Sequence, residues 1–251
     1  MRRRILVTRP AEQADELARL LHDRGLAPIV VPAVAIRPAE PAAIDAMLAR
    51  LAGAAWLVVT SANGADALGG RLAATASLLP ADLKIAAVGP ATAAALVTWG
   101  IRVDHVPSTY RTAAIAEGLA DVHGRRVVLA RADLASPELA ELLRGRGAVV
   151  EEVIAYHVIE GPAASRERLQ RAIHRGLDGI AFTSGSTVRG VLRLATTTDR
   201  SRIRTLPAFC IGPPTAEVAR RSGFDAVAVA PSHTAANLAE TIAIHFARGT
   251  S

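Results

Sequence analysis

The sequence predicts an α/β protein of two similar lobes, each a doubly wound parallel sheet, and three observations predict it. Short apolar runs alternate with amphipathic helical stretches along all 251 residues. Continuous apolar strands in that setting belong to parallel sheets covered on both faces. The chain also repeats itself. Thr60-Ser61, Gly89-Pro90, Thr92-Ala93 and Gly100 return as Thr183-Ser184, Gly212-Pro213, Thr215-Ala216 and Gly223, each 123 residues later. That interval is too long for a solenoid unit and suits a small domain. A second repeat, at an offset of 122, matches Leu6-Val7-Thr8-Arg9 with Val128-Leu129-Ala130-Arg131, Glu16-Leu17 with Glu138-Leu139, and Gly25 with Gly147. The order along the chain is therefore A-B-A′-B′.

The elements follow in turn. The first strand spans 4–8: its apolar run is short and Arg9-Pro10 closes it, unlike the longer apolar stretch and small-residue cleavage site of a signal peptide. Further strands are expected at 28–36, 55–60, 84–88, 103–106, 126–130, 148–158, 178–183, 207–211 and 225–229. Helices are expected between them, at 11–24, 41–52, 63–74, 91–99, 112–121, 135–145, 164–175, 186–195, 214–222 and 235–247. Gly25, Gly100, Gly147 and Gly223 each close a helix before the next strand. The stretches 28–36 and 148–158 end the A units and are the expected crossing points between lobes. The repeat by itself also allows plain A-B and A′-B′ lobes.

Composition narrows the function. The chain is 51% hydrophobic and 21% charged, with a formal charge of +6, and Lys84 is the one lysine. So much arginine reads either as codon bias or as an anionic ligand, because guanidinium forks match carboxylates. The arginines are scattered and aromatics are 3% of the chain, which leaves few stacking platforms for nucleic acid. No apolar run is long enough to span a bilayer. Cys210 is the single cysteine, so no internal disulfide forms, as expected of a cytoplasmic protein. One cysteine and seven scattered histidines give no metal-ligand spacing, and neither a metal nor a cofactor is expected. His157 and His233 lie near strand edges without such spacing. There is no Gly-x-Ser-x-Gly elbow, no paired carboxylates, and no Walker or dinucleotide fingerprint.

What remains lies at strand ends. Thr60-Ser61 and Thr183-Ser184 follow apolar strands and precede helices, so Ser61 and Ser184 suit N-caps. A helix N-terminus at the carboxyl end of a parallel strand also favours anions. Gly89-Pro90-Ala91-Thr92 and Gly212-Pro213-Pro214-Thr215 repeat the arrangement. There the glycine allows a close backbone approach or a positive φ, and Thr92 or Thr215 with nearby N–H groups can cradle a carboxylate. Each of these is otherwise a cap or a tight βα turn. Tyr156, one of two tyrosines beside Tyr110, ends a crossing stretch, either as a wedge between lobes or as a hydrogen-bond donor that stays neutral at physiological pH.

Taken in order, these segments resemble the uroporphyrinogen-III synthase family over essentially the whole chain. They are Ile5-Leu6-Val7-Thr8-Arg9-Pro10, Thr60-Ser61 with Asn63-Gly64, Gly89-Pro90-Ala91-Thr92, Leu129-Ala130-Arg131-Ala132-Asp133, Tyr156, Phe182-Thr183-Ser184, Ile211-Gly212-Pro213-Pro214-Thr215-Ala216 and Ala230-Pro231-Ser232. The resemblance implies two α/β lobes joined by a two-stranded β linker, the active site lying in the cleft. One lobe would combine residues 1–35 and 160–251; the other would span 36–159, including a linker strand. It implies a cyclising hydro-lyase that dehydrates hydroxymethylbilane, a linear tetrapyrrole polycarboxylate, and closes it to uroporphyrinogen III with the terminal pyrrole inverted. Tyr156 would donate a hydrogen bond to the departing hydroxyl. Arg9, Ser61, Thr92, Arg131, Ser184, Gly212 and Thr215 would contact substrate. The expected protein is a cytoplasmic monomer with no cofactor and no nucleic-acid or membrane partner. One departure stands out: many family members carry Arg-Gly where this chain has Arg131-Ala132-Asp133. A non-catalytic two-lobed receptor for an anionic metabolite is the main alternative. A nucleic-acid regulator, with steeply salt-dependent affinity, is the second.

Overall fold

The computed structural model describes residues 2–109 and 112–248 as an α/β protein built on parallel sheets; Tyr110 lies outside the described residues. The elements begin β1 (Arg4–Val7), α1 (Ala14–Asp23), β2 (Ala27–Val30), β3 (Val34–Pro38), α2 (Pro41–Ala49), β4 (Trp56–Val59), α3 (Ala62–Thr75), β5 (Lys84–Ala87) and α4 (Pro90–Thr98). They continue with α5 (Thr112–Gly118), β6 (Arg126–Ala132), α6 (Glu138–Gly145), β7 (Val149–Glu160), α7 (Arg166–His174), β8 (Gly179–Phe182) and α8 (Gly185–Leu194). The last are α9 (Thr197–Arg204), β9 (Ala208–Cys210), α10 (Pro213–Arg221), β10 (Val227–Val229) and α11 (Ala235–Arg248). The chain divides into two compact units, Met1–Ala35 with Ile159–Ser251, and Ile36–Val158.

In the first unit the strand order is β10-β9-β8-β1-β2, with every neighbour parallel. Successive strand residues bury on opposite faces. Leu6, Ile180, Phe182 and Cys210 pack with Leu169, Val188, Val191, Ile203 and Ala216 on one side. Ile5, Val7, Ala181 and Phe209 pack with Leu17, Leu21, Leu238 and Ile242 on the other. Both faces are thus sealed by helices, which accounts for the unbroken apolar strands.

In the second unit the order is β3-β7-β6-β4-β5. The pairs β7-β6, β6-β4 and β4-β5 are parallel. Leu57, Val59, Val128 and Ala130 face Ile44, Met47, Leu68 and Leu96. Trp56, Val58, Val127 and Leu129 face Ile115, Leu119, Leu139 and Leu143.

The repeats interleave. The first unit holds A (β1 to β2) and B′ (β8 to β9); the second holds B (β4 to β5) and A′ (β6 to β7). Both place their strands in one order, β2-β1-β8-β9 and β7-β6-β4-β5. The chain reverses direction across each sheet between β1 and β8, and between β6 and β4. Ligands of open α/β sheets gather at the carboxyl ends of strands at such switch points. Gly25, Gly100, Gly147 and Gly223 all close helices at positive φ, between 73° and 84°.

Three expectations change. The run 28–36 is two strands, because Pro32 between them has no N–H to give a ladder. The strand expected at 103–106 is a single bridge, His105 to Ala86. There Asp104 Oδ2 takes the Ile85 N–H at 2.8 Å, so a side chain stands where a strand carbonyl would continue the ladder. Helix α9 was not anticipated; Thr196 caps it by accepting from Asp199 N.

Candidate functional site

At the switch point of the second unit, Thr60 Oγ1 donates to the Ala130 carbonyl at 3.3 Å and ties the ends of β4 and β6. Ser61 follows with extended backbone (φ −164°, ψ 159°) and caps α3 by accepting from Gly64 N at 3.1 Å. The Tyr156 phenol hydrogen-bonds to Ser61 and Asn63 at this helix start, and the residue is 7% exposed. Burial is the largest influence on the phenol and raises its pKa above the ordinary value. The bonds from Ser61 and Asn63 pull the other way, and the Asp133 charge adds to the rise. The phenol therefore stays protonated at neutral pH.

Arg131, at the end of β6, is buried and already committed. Its Nη1 lies 2.5 Å from Glu152 Oε2, and its Nη2 donates to the Ser136 carbonyl. Glu152 also accepts from Arg144 at 3.0 Å. Arg131 thus acts as a strut between β6 and β7, and its geometry gives no support to a substrate contact. Thr92 is the third residue of α4 and is 4% exposed, behind Gly89, whose backbone is extended (φ −173°).

Asp133, two residues beyond Arg131, gathers β7. Its N–H donates to the Tyr156 carbonyl at 3.2 Å, Oδ1 accepts from Val158 N at 3.0 Å, and Oδ2 lies 2.9 Å from His157 Nδ1. Burial alone would raise its pKa. The Val158 N–H, the bond and charge of His157 and the Leu134 N–H outweigh burial and hold the carboxyl below its usual value.

In the first unit, Thr8 is buried and donates to the Ala181 carbonyl at 2.7 Å, tying β1 to β8 across the switch point. Arg9 follows, with its side chain 21% exposed and only a long contact to Glu16, 3.8 Å. Burial lowers the Arg9 pKa and Glu16 partly offsets this. Ser184 caps α8 in a reciprocal box with Thr187, and its Oγ lies 2.8 Å from Ser186 Oγ. Thr215 is the third residue of α10 and 5% exposed.

Gly212 corrects an expectation. Its backbone is extended (φ −173°, ψ 172°), which any residue adopts, so no positive φ is involved. The glycine is needed because the His233 ring lies against it: an added Cβ would fall 1.8 Å from Nε2. His233, passed over in the sequence, therefore stands at the start of α10.

The structure brings Tyr156 and Ser61 into contact. It sets Arg9 and Ser184 at the ends of adjacent strands, and Gly212 and Thr215 on the next. Asn63, Asp133 and His233 are the functional candidates that sequence reasoning did not single out. Asn63 stood in a quoted motif, and Asp133 in the one departure from it. A groove of about 490 Å³ lined by Leu72, Leu79, Leu83, Trp99 and Ile101 holds none of these residues. It opens at the amino-terminal side of β5, so its size does not mark the site. Among the described residues no group of three or more His, Cys, Asp and Glu could hold a metal ion, and no helix is long and apolar enough to cross a membrane.

Each parallel sheet carries capped helix starts at its carboxyl-terminal strand ends, with Arg9 in the first unit and the buried Tyr156 phenol in the second, as in an α/β protein that binds small molecules at such ends. Residues 15–240 match the family described as uroporphyrinogen-III synthase HemD, and the chain belongs to that family of cyclising lyases in porphyrin biosynthesis. The uroporphyrinogen-III synthase of Synechococcus elongatus is 33% identical over 76% of this chain and 74% of its own. The porphyrin biosynthesis protein HemD of Ruminiclostridium josui is 29% identical over 87% of this chain and 44% of its own. The fold is that of a solved uroporphyrinogen III synthase mutant from Thermus thermophilus, with TM-score 0.69, 21% identity and coverage of 99% and 98% of the two chains.

Proposed function

We propose that this chain converts hydroxymethylbilane into uroporphyrinogen III, and that Tyr156 assists the first step. The observation that carries the residue assignment is the buried phenol beside Ser61 and Asn63 at the start of α3. The terminal hydroxyl leaves under a hydrogen bond from Tyr156 while the pyrrole nitrogen supplies the electron pair, and with the proton that the final closure releases it makes up one water. The azafulvene is attacked by the substituted carbon of the last pyrrole, giving a spirocycle. That intermediate fragments and recloses with the last ring inverted, and a proton is lost. A phenol held protonated suits hydrogen-bond donation better than full proton transfer. The larger part of the task is to hold a flexible chain so that inverting closure outruns direct closure, which is catalysis by orientation.

In this reading the two units are lobes joined through β3 and β7 as a two-stranded linker, and both contribute contacts to the substrate. Arg9, Ser184, Gly212 and Thr215 serve carboxylates from the first unit, Ser61 and Thr92 from the second. The protein works as a cytoplasmic monomer, without a nucleic-acid or membrane partner. The synthase relatives favour catalysis over the receptor reading.

The test is product analysis after mixing with fresh hydroxymethylbilane. Wild-type protein yields an excess of the type III isomer over a blank. Tyr156→Phe slows this about tenfold or more without abolishing it. A wild-type rate in that variant removes the role of Tyr156, and no excess of type III with the native protein removes the function.

A further inference from the structure

The alternation of β7 breaks at the residue that bears the phenol. Val153 is buried, Ile154 is 44% exposed and Ala155 is buried again, as a strand's period of two requires. Tyr156 should then face outward with Ile154, yet it is buried directly after Ala155. The cause is a β-bulge. Pairing with β6 runs one to one from Arg126–Val149 to Arg131–Ile154, and then Ala132 pairs with Tyr156. Ala155 is the extra residue, and its carbonyl accepts the Ala39 N–H at 3.0 Å. A bulge re-aims the side chains that follow it, but it interrupts the ladder and leaves backbone groups to be satisfied.

Asp133 fastens the stretch that follows the bulge. Its N–H donates to the Tyr156 carbonyl, one carboxylate oxygen accepts from the Val158 N–H, and the other meets the His157 ring. Three consecutive residues of β7 are thus fastened to one side chain and its backbone. We propose that Asp133 is the positioning residue of Tyr156: it locks the bulge in β7 and thereby aims the phenol at Ser61 and Asn63. Without that lock, a return to regular pairing would send Tyr156 to the opposite face of the sheet. The proposal rests on the reading of Tyr156 as hydrogen-bond donor and deepens it. Among the charged groups on the surrounding elements, Arg131 is paired with Glu152, Arg71 with Asp45, and Asp66 accepts from the Trp99 indole, while Arg37 is exposed at the end of β3. The charge that acts on the phenol is that of Asp133, with His157 as its partner.

Two measurements test this. In a Tyr110→Phe background the phenolate absorbance reports Tyr156 alone, since the chain has two tyrosines. Asp133→Ala should move that titration to lower pH, because it removes both a negative charge and the lock that keeps the phenol buried. Asp133→Asn, which keeps an acceptor for the Val158 N–H, should move it less, and it carries the test if the alanine variant does not fold. An unchanged titration in both overturns the proposal. In the kinetic arm, Asp133→Ala should lower kcat about tenfold with KM within about twofold, and the asparagine should recover most of the loss. In a Tyr156→Phe background Asp133→Ala should cost almost nothing further, because both changes disable one device. Full additivity overturns the proposal. A wild-type rate for Tyr156→Phe alone would instead sink the donor reading, while a titration moved further by Asp133→Ala than by Asp133→Asn, both of which remove the charge, would still uphold the positioning, and equal shifts would overturn it.

Discussion

Arg9 and Arg131 hold the same place in the repeat, each at the end of the strand that opens an A unit, yet the two units use them differently. Arg131 is 7% exposed in its side chain and bound by Glu152 and the Ser136 carbonyl. Arg9 is three times as exposed and holds only a 3.8 Å contact to Glu16. The units differ in bulk in the same sense. The first carries 18 basic and 11 acidic side chains, a net +7; the second carries 11 and 12, a net −1. Ser61 and Ser184, also repeat partners, both cap helices, but Ser61 alone of the two bonds a phenol; the position matching Tyr156 in the first unit is Val34. The difference teaches that matching strand ends carry different bonding in the two units. On the proposed function, the first unit gathers carboxylates and the second presents the donor.

The largest effect that would sharpen this contrast is on stability. Arg131→Ala should cost about 2 kcal/mol of unfolding free energy, because Glu152 loses its buried partner but is itself partly hydrated. Urea denaturation checks it, and a KM rise with unchanged stability would break the contrast. Arg9→Ala should do the reverse, raising KM about tenfold through the loss of one charge-assisted hydrogen bond while the midpoint of unfolding stays put. Ser61→Ala and Ser184→Ala should each cost about 1 kcal/mol of stability as lost caps. Only Ser61→Ala should also lower kcat at saturating substrate, and equal kinetic effects from both would erase the division.

The smallest effect is one of pH. The carboxyls of Asp133 in the second unit and Asp178 in the first both sit below their usual pKa. For Asp178, burial opposes this, but the Arg4 N–H and the bond and charge of Arg3 prevail. A carboxyl depressed in the folded state contributes stability above its unfolded pKa of about 4 and loses it as pH falls through the folded value. Asp133→Asn and Asp178→Asn should therefore each flatten the loss of stability below about pH 4. Unaltered acid unfolding curves would show that neither carboxyl is engaged in solution.

Much of the fold was legible because burial on both faces forces continuous apolar strands, and helix ends must be capped. The Ser61 and Ser184 caps, the glycines after α1, α4, α6 and α10, and the A-B-A′-B′ order all follow from such local demands. Helix α9 escaped because Thr197-Thr198-Asp199-Arg200-Ser201 has weak helix propensity; its signal was Thr196 with Asp199 three residues on. The bulge at Ala155 escaped because a strand's sequence does not state its partner's register. For the site, residue types at strand ends pointed to Tyr156 and Ser61, whereas Arg9 entered only through the family resemblance. Nothing in the sequence separated the committed Arg131 from the open Arg9, since Glu152 and Ser136 reach Arg131 only through folding. The His233 contact that explains Gly212 was hidden for the same reason.

The interleaving of the repeats has a consequence for how the chain is made. Residues 36–158 are contiguous and can complete their sheet while the ribosome is still at work. Residues 1–35 cannot, because β1 must wait for β8, more than 170 positions downstream. During that interval the amino-terminal strands hold open edges, the state most exposed to mispairing and to chaperones. Nascent chains arrested only after β7 has emerged from the ribosome, but before β8 has, should accordingly show a protease-resistant second unit behind a cleavable amino-terminal stretch.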